Sequence, residues 1–188
     1  MYSLPNLLTL SRIAAIPIVV ILLYIPGPWG AWSAAFVYAL ACITDWLDGH
    51  IARQRKLQSD FGRFLDPIAD KLLVAAILLV LVGQQRIAGP MIVAALIILG
   101  REILVSGLRE FLAGLRISVP VSRLAKWKTG IQMVALGVVM VGEYGPRGFY
   151  IEEIGDLGLA AAAILTLITG YDYLRAGLRH MDQPKTEE

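Results

Sequence analysis

The sequence predicts an all-α integral membrane protein of six transmembrane helices, with a polar cavity at their cytoplasmic ends. Composition is the first reason. Of 188 residues, 57% are hydrophobic and 17% charged, with a mean hydropathy of +0.66, against roughly 45 to 50% and about 25% in soluble domains. The second reason is the arrangement of apolar residues in six stretches, at 7–25, 31–46, 68–82, 91–108, 131–141 and 157–173. A span takes about 20 apolar residues, so six of them leave no length for a separate soluble domain. Residues 1–188 read as one membrane domain, with a polar tail at 181–188 that frays.

The first stretch has no Lys or Arg before it and no small-residue cleavage site after it, so it reads as a retained span and not as a signal peptide. Pro26-Gly27-Pro28-Trp29-Gly30 turns the chain into the second stretch. Cys42 lies within that stretch and is the chain's one cysteine, so it forms no intrachain disulfide and reads as a packing residue. A tight turn at 83–89 joins the third and fourth stretches, and a longer acidic loop at 142–155 joins the fifth and sixth. Several stretches are short for a span and contain or adjoin Asp, Glu or Arg. Such ends face protein or a water-filled cavity, because lipid cannot satisfy them.

The formal charge of +2 is too balanced to point to nucleic acid. Its distribution is not balanced. Arg12, the connection carrying Arg53, Arg55, Lys56 and Arg63, the connection from Arg109 to Lys128, and the tail lie on one side, while Arg86 and Arg147 stand on the other. By the positive-inside rule both termini and the two basic connections are cytoplasmic. Lys71 and Arg101 fall inside apolar stretches, where an ionised side chain is retained for function or pairing. Glu102 is the local neutraliser for Arg101, although adjacent helical residues do not face each other.

Four aspartates dominate the link between the second and third stretches. Asp45 and Asp48 are three apart, Asp66 and Asp70 four apart, so on helices each pair leaves one face, separated by about 60° and about 40°. Four converging carboxylates repel unless countercharged, and such hard oxygen donors suit Mg²⁺ or Mn²⁺. Two divalent ions would neutralise the cluster, and their remaining ligands are typically substrate-phosphate oxygens. Gly49 and Gly62 would let a ligand or backbone approach closely, and Arg53 offers a fork of donors to a phosphate. From the residues alone, a metal-assisted phosphoryl-transfer site and a cation transport path both fit.

The run Asp45-x2-Asp48-Gly49-x2-Ala52-Arg53-x8-Gly62-x3-Asp66-x3-Asp70 resembles the complete signature of the CDP-alcohol phosphotransferase family, at eight fixed positions over 26 residues. The resemblance implies a two-metal enzyme of six transmembrane helices, homodimeric, in the bacterial inner membrane with its site on the cytoplasmic side. Asp45, Asp48 and Asp66 would hold two divalent cations, Mg²⁺ or Mn²⁺, that bridge the diphosphate of a CDP-linked donor. Asp70 would complete the metal site and take the proton from the acceptor hydroxyl, a role that suits its place one turn after Asp66. Gly49, Arg53 and Gly62 match positions that cradle the nucleotide, together with Asp48. The run Asn6-Leu7-Leu8-Thr9-Leu10-Ser11-Arg12 is similar to the family's N-terminal element, which brings Asn6, Thr9 and Arg12 near the donor.

The basic fourth connection suits an anionic acceptor by charge complementarity. Its runs Arg101-Glu102 to Arg109-Glu110 and Lys126-Trp127-Lys128-Thr129 to Gln132-Met133 are similar to those of the family's bacterial phosphatidylglycerophosphate synthase branch. That likeness implies CDP-diacylglycerol as donor and glycerol 3-phosphate as acceptor. It would make Arg109, Lys126 and Lys128 the acceptor-phosphate contacts, with Arg116 and Arg123 beside them. Serine, inositol phosphate or phosphatidylglycerol as acceptor would use the same chemistry. A cation transporter would use the same aspartates without releasing CMP, and a noncatalytic scaffold would tolerate their loss.

Overall fold

The computed structural model describes residues 4–55, 60–115, 117, 123–146 and 148–181, which form helices and short turns without a strand among them. Six α-helices follow in order: α1 (Leu4–Leu23), α2 (Pro28–Arg55), α3 (Asp60–Gly83), α4 (Met91–Gly114), α5 (Arg123–Val141) and α6 (Ile151–Met181). A short 3₁₀ turn at Gly142–Tyr144 follows α5.

Five of the six apolar stretches lie wholly on one of these helices, the first running two residues past the end of α1, and α2 and α3 outrun theirs. α2 continues nine residues past the apolar stretch that ends at 46, and α3 begins eight residues before the one that starts at 68. The four aspartates therefore sit on helices and not in the loop between them. An apolar stretch marks the length that faces lipid, whereas the backbone ladder continues through Ala, Arg, Gln and Leu, which are good helix formers. The acidic loop expected at 142–155 is shorter than its composition suggests, because the 3₁₀ turn takes its start and α6 its end. Glu152 and Glu153 occupy the first turn of α6, where negative charge complements the helix N-terminus.

The turn into α2 is tightly made. Pro28 supplies the fixed φ suited to a first helical position, and Gly27 takes φ +93°. A Cβ on Gly30 would lie 2.1 Å from the Ile25 carbonyl oxygen and 2.8 Å from that of Leu22, so only glycine admits this approach of α2 to the end of α1.

α1 packs on α2 and α3, α5 on α2 and α6, and α4 on α6. Their shared core includes Val19, Tyr38, Ile77, Ile98, Leu136 and Leu159, one from each helix. The outer surface is apolar as well: Ile21, Phe36, Leu79, Leu96, Val134 and Leu157 are each more than half exposed, again one per helix. Apolar groups on both the inside and the outside are the pattern of a bundle that lies in lipid. By length and composition, Met91–Gly114, Leu124–Tyr144 and Ile151–Leu178 are long and apolar enough to cross a membrane, with a shorter apolar helix at Leu8–Leu23. α2 and α3 carry the signature charges within their lengths, which lowers their hydropathy.

Candidate active site

The N-terminal half of α1, the C-terminal half of α2 and the first turns of α3 meet at one end of the bundle. Thr9 and Arg12, three apart on α1, leave the same helix face. Arg12 is 2% exposed, and a charge so withdrawn from water requires close countercharge. It finds two: Nη2 lies 2.8 Å from Asp45 Oδ1 on α2, and Nη1 donates to Asp70 Oδ1 on α3 at 2.7 Å. Both carboxylates are thus aimed at one guanidinium. Thr9 Oγ1 donates to Asp66 Oδ1, which brings the third carboxylate to the same face of α1.

Three of the four expected aspartates are therefore brought together from two helices. Asp48, Gly49 and Arg53 continue on α2, but their side chains lie outside the described residues, as does that of Asn6. Gly62 is buried in the first turn of α3. Among the described residues no three Asp, Glu, His or Cys side chains stand close enough to share one metal ion, and the Arg12 guanidinium occupies the point between Asp45 and Asp70. By its chemistry the donor set suits a hard divalent cation, since Asp45, Asp66 and Asp70 offer carboxylate oxygens.

A second polar cluster joins α4, α5 and α6. Lys128 is fully buried, and its Nζ on α5 donates to Glu102 Oε1 on α4. Arg101 Nη1 stands farther from the same carboxylate, at 3.8 Å, and its Nη2 faces Thr169 Oγ1 on α6 at 3.5 Å. Gln132, one turn after Lys128, and Thr166 are also buried, and neither Gln132 Oε1 nor Thr166 Oγ1 has a hydrogen-bond partner among the described residues. Of the basic residues expected to meet an acceptor, Lys126 is exposed, and Arg109 is exposed with its guanidinium 5.6 Å from the Tyr173 ring centre. Lys128 is already engaged by Glu102. Arg116 and the side chain of Arg123 lie outside the described residues.

Two features escaped the sequence. The sequence marks Arg12 as part of an N-terminal element, but not as the bridge between Asp45 and Asp70. Glu102 reads locally as the partner of Arg101, whereas its shorter contact is with Lys128. The signal available for that pair was two oppositely charged residues next to apolar stretches on adjacent helices.

A phosphotransferase fold is what this geometry and signature define: the family model for CDP-alcohol phosphatidyltransferases matches residues 2–169, and the chain belongs to that family. It is a transferase of phospholipid biosynthesis, of a family that generally uses divalent cations. The chain is 48% identical over 174 residues to the CDP-diacylglycerol–glycerol-3-phosphate 3-phosphatidyltransferase of Rickettsia bellii, covering 93% of this chain and 94% of that one. It is 41% identical over 182 residues to the protein of the same name from Pseudomonas fluorescens, covering 95% and 92%. In fold it resembles the crystal structure of a Mycobacterium tuberculosis phosphatidylinositol phosphate synthase in apo form, with a TM-score of 0.62 at 20% identity over 91% of this chain and 85% of that one.

Proposed function

We propose that the protein transfers a phosphatidyl group from CDP-diacylglycerol to glycerol 3-phosphate, giving phosphatidylglycerophosphate and CMP. The observation that carries this reading is the meeting of Asp45, Asp66 and Asp70 around Arg12 and Thr9 at one end of the bundle. The names of relatives that match nearly the whole chain support the donor and acceptor.

Asp45, Asp48, Asp66 and Asp70 would hold two divalent cations, Mg²⁺ or Mn²⁺, which when bound supply neutralising charge to the donor's diphosphate. Gly49 and Gly62 leave room for the cytidine, while Arg53, Asn6, Thr9 and Arg12 border the nucleotide side. Asp70 accepts the proton of the acceptor hydroxyl. The hydroxyl oxygen bonds to the phosphorus distal to cytidine, and the bond from that phosphorus to the bridging oxygen breaks. CMP carries that oxygen away. The basic residues Arg109, Arg116, Arg123, Lys126 and Lys128 attract the acceptor phosphate by charge, Lys128 from a position held by Glu102.

A membrane setting explains why the carboxylates stand where the apolar stretches of α2 and α3 end. Acyl chains of the donor remain in lipid while its diphosphate reaches the carboxylates. All six helices span the bilayer in this reading, with both termini and the site on the cytoplasmic side of a bacterial inner membrane, and two copies form a homodimer.

Purified protein in detergent micelles, given CDP-diacylglycerol, Mg²⁺ or Mn²⁺, and one acceptor at a time, tests the assignment. CMP release with glycerol 3-phosphate, and not with serine, inositol phosphate or phosphatidylglycerol, is expected. Release with another acceptor alone overturns the acceptor. No release with any acceptor, from folded protein that binds divalent cations, favours a cation transporter.

A further inference from the structure

Lys71 follows Asp70 directly on α3, in a stretch otherwise apolar, and the mechanism above makes no use of it. One residue further along a helix turns a side chain by about 100°, so Lys71 leaves α3 on the flank beside Asp70. That flank faces α4: Glu102, Arg109 and Glu110 lie within electrostatic reach of its ammonium, as does Asp70. The side chain also folds back along its own helix, and Nζ donates to the Pro67 carbonyl oxygen at 2.7 Å. The ammonium is therefore held at the level of the turn that carries Asp66 and Asp70.

The neighbouring cations are engaged elsewhere. Arg12 is held by Asp45 and Asp70, Lys128 by Glu102, and Arg109 faces the Tyr173 ring. Among the described residues Lys71 has no carboxylate at ion-pair distance, and its one hydrogen bond is to a backbone carbonyl. An ammonium has three donors, so two remain to be used. A half-buried lysine with spare donors, in a stretch where charge is expensive, is retained for a partner that arrives.

We propose that Lys71 is a specificity-determining residue that binds the phosphate of the acceptor, a small monophosphate ester, and so sets its hydroxyl against Asp70. The inference rests on the phosphatidyl-transfer reading and names the residue that selects an anionic acceptor. Its place next to Asp70 suits this role, since a phosphate anchored there keeps the attacking hydroxyl within a short three-carbon reach of the proton acceptor. The arginines of the fourth connection then serve mainly to attract the substrate.

CMP release is measured for wild type, Lys71→Gln and Lys71→Arg, with glycerol 3-phosphate and with glycerol as acceptors. Losing charge-assisted hydrogen bonds to the phosphate raises KM for glycerol 3-phosphate by about 30-fold in Lys71→Gln. KM for CDP-diacylglycerol stays the same, and the preference for glycerol 3-phosphate over glycerol collapses by a similar factor. Lys71→Arg recovers most of that preference. In wild-type protein, acetic anhydride labelling of Lys71, followed by mass spectrometry, is suppressed by glycerol 3-phosphate and not by glycerol. An unchanged KM in Lys71→Gln, or equal losses with both acceptors, overturns the proposal. If Lys71→Gln does not fold, labelling of wild type that glycerol 3-phosphate leaves unaltered overturns it. Failure of the phosphatidyl-transfer reading is distinct, because it appears in the wild-type protein as absent CMP release.

Discussion

Two buried or half-buried arginines at opposite ends of the bundle do different work. Arg86, after α3, donates to the Met140 carbonyl near the end of α5 and lies 5.8 Å from the Tyr144 ring centre. Beside it Gln84 donates to the Leu23 carbonyl at 2.8 Å, and Trp32 to the Tyr144 carbonyl at 3.1 Å. These contacts satisfy carbonyls that helix ends leave without intrahelical partners, with cations favoured at a helix C-terminus. At the other end Arg12 spans Asp45 and Asp70, and Lys128 meets Glu102. There, side chains answer side chains, and removing one strands a charge. The contrast separates polar groups that cap helix ends from ion pairs at the end where we propose the chemistry takes place.

The largest expected effect comes from the charged end. Asp70→Asn removes the proposed proton acceptor and should lower CMP release by about 10³-fold or more, with elution from a sizing column unchanged. Unfolding on that change would place Asp70 among the groups that close the fold. Lys128→Met leaves Glu102 without its nearest cation and should cost about 3 kcal/mol of stability, read by denaturant unfolding in micelles. Adding Glu102→Leu should return most of that loss; a doubly weakened protein would show that the two act separately.

At the opposite end the effects shrink. Arg86→Gln should cost about 1 kcal/mol, the worth of an ordinary hydrogen bond, and leave CMP release at the wild-type rate. A rate loss there would erase the contrast between the two ends. The smallest effect belongs to exposed Lys126, whose change to Gln should raise KM for the acceptor by about twofold, as befits a solvent-screened charge.

The sequence made the carboxylate end legible because Asp is rare beside apolar helices and its spacing encodes direction. Asp45, Asp66 and Asp70 needed only the helical period to be placed on facing surfaces. The helix ends were less legible. A stretch of Leu, Ile and Val records contact with lipid, and that contact stops before the backbone ladder does, which is why α2 and α3 reach into the signature. Gly142, Gly145 and Pro146 read as a loop, yet Glu152 and Glu153 favour an early start of α6. The Glu102–Lys128 pair was beyond reach for a different reason: it depends on the register of α4 against α5, which tertiary packing sets and no local pattern records.

The carboxylates gathered at Arg12 and Thr9 form, in the function proposed above, a metal-dependent transfer centre. It is tested most directly by following CMP and lipid product together, from CDP-diacylglycerol and glycerol 3-phosphate, with Mn²⁺ present and then removed by EDTA. CMP and phosphatidylglycerophosphate appearing in equal amounts, both abolished by EDTA and restored by added Mn²⁺, is the predicted result. CMP release that continues in EDTA, or that yields no lipid product, would contradict it.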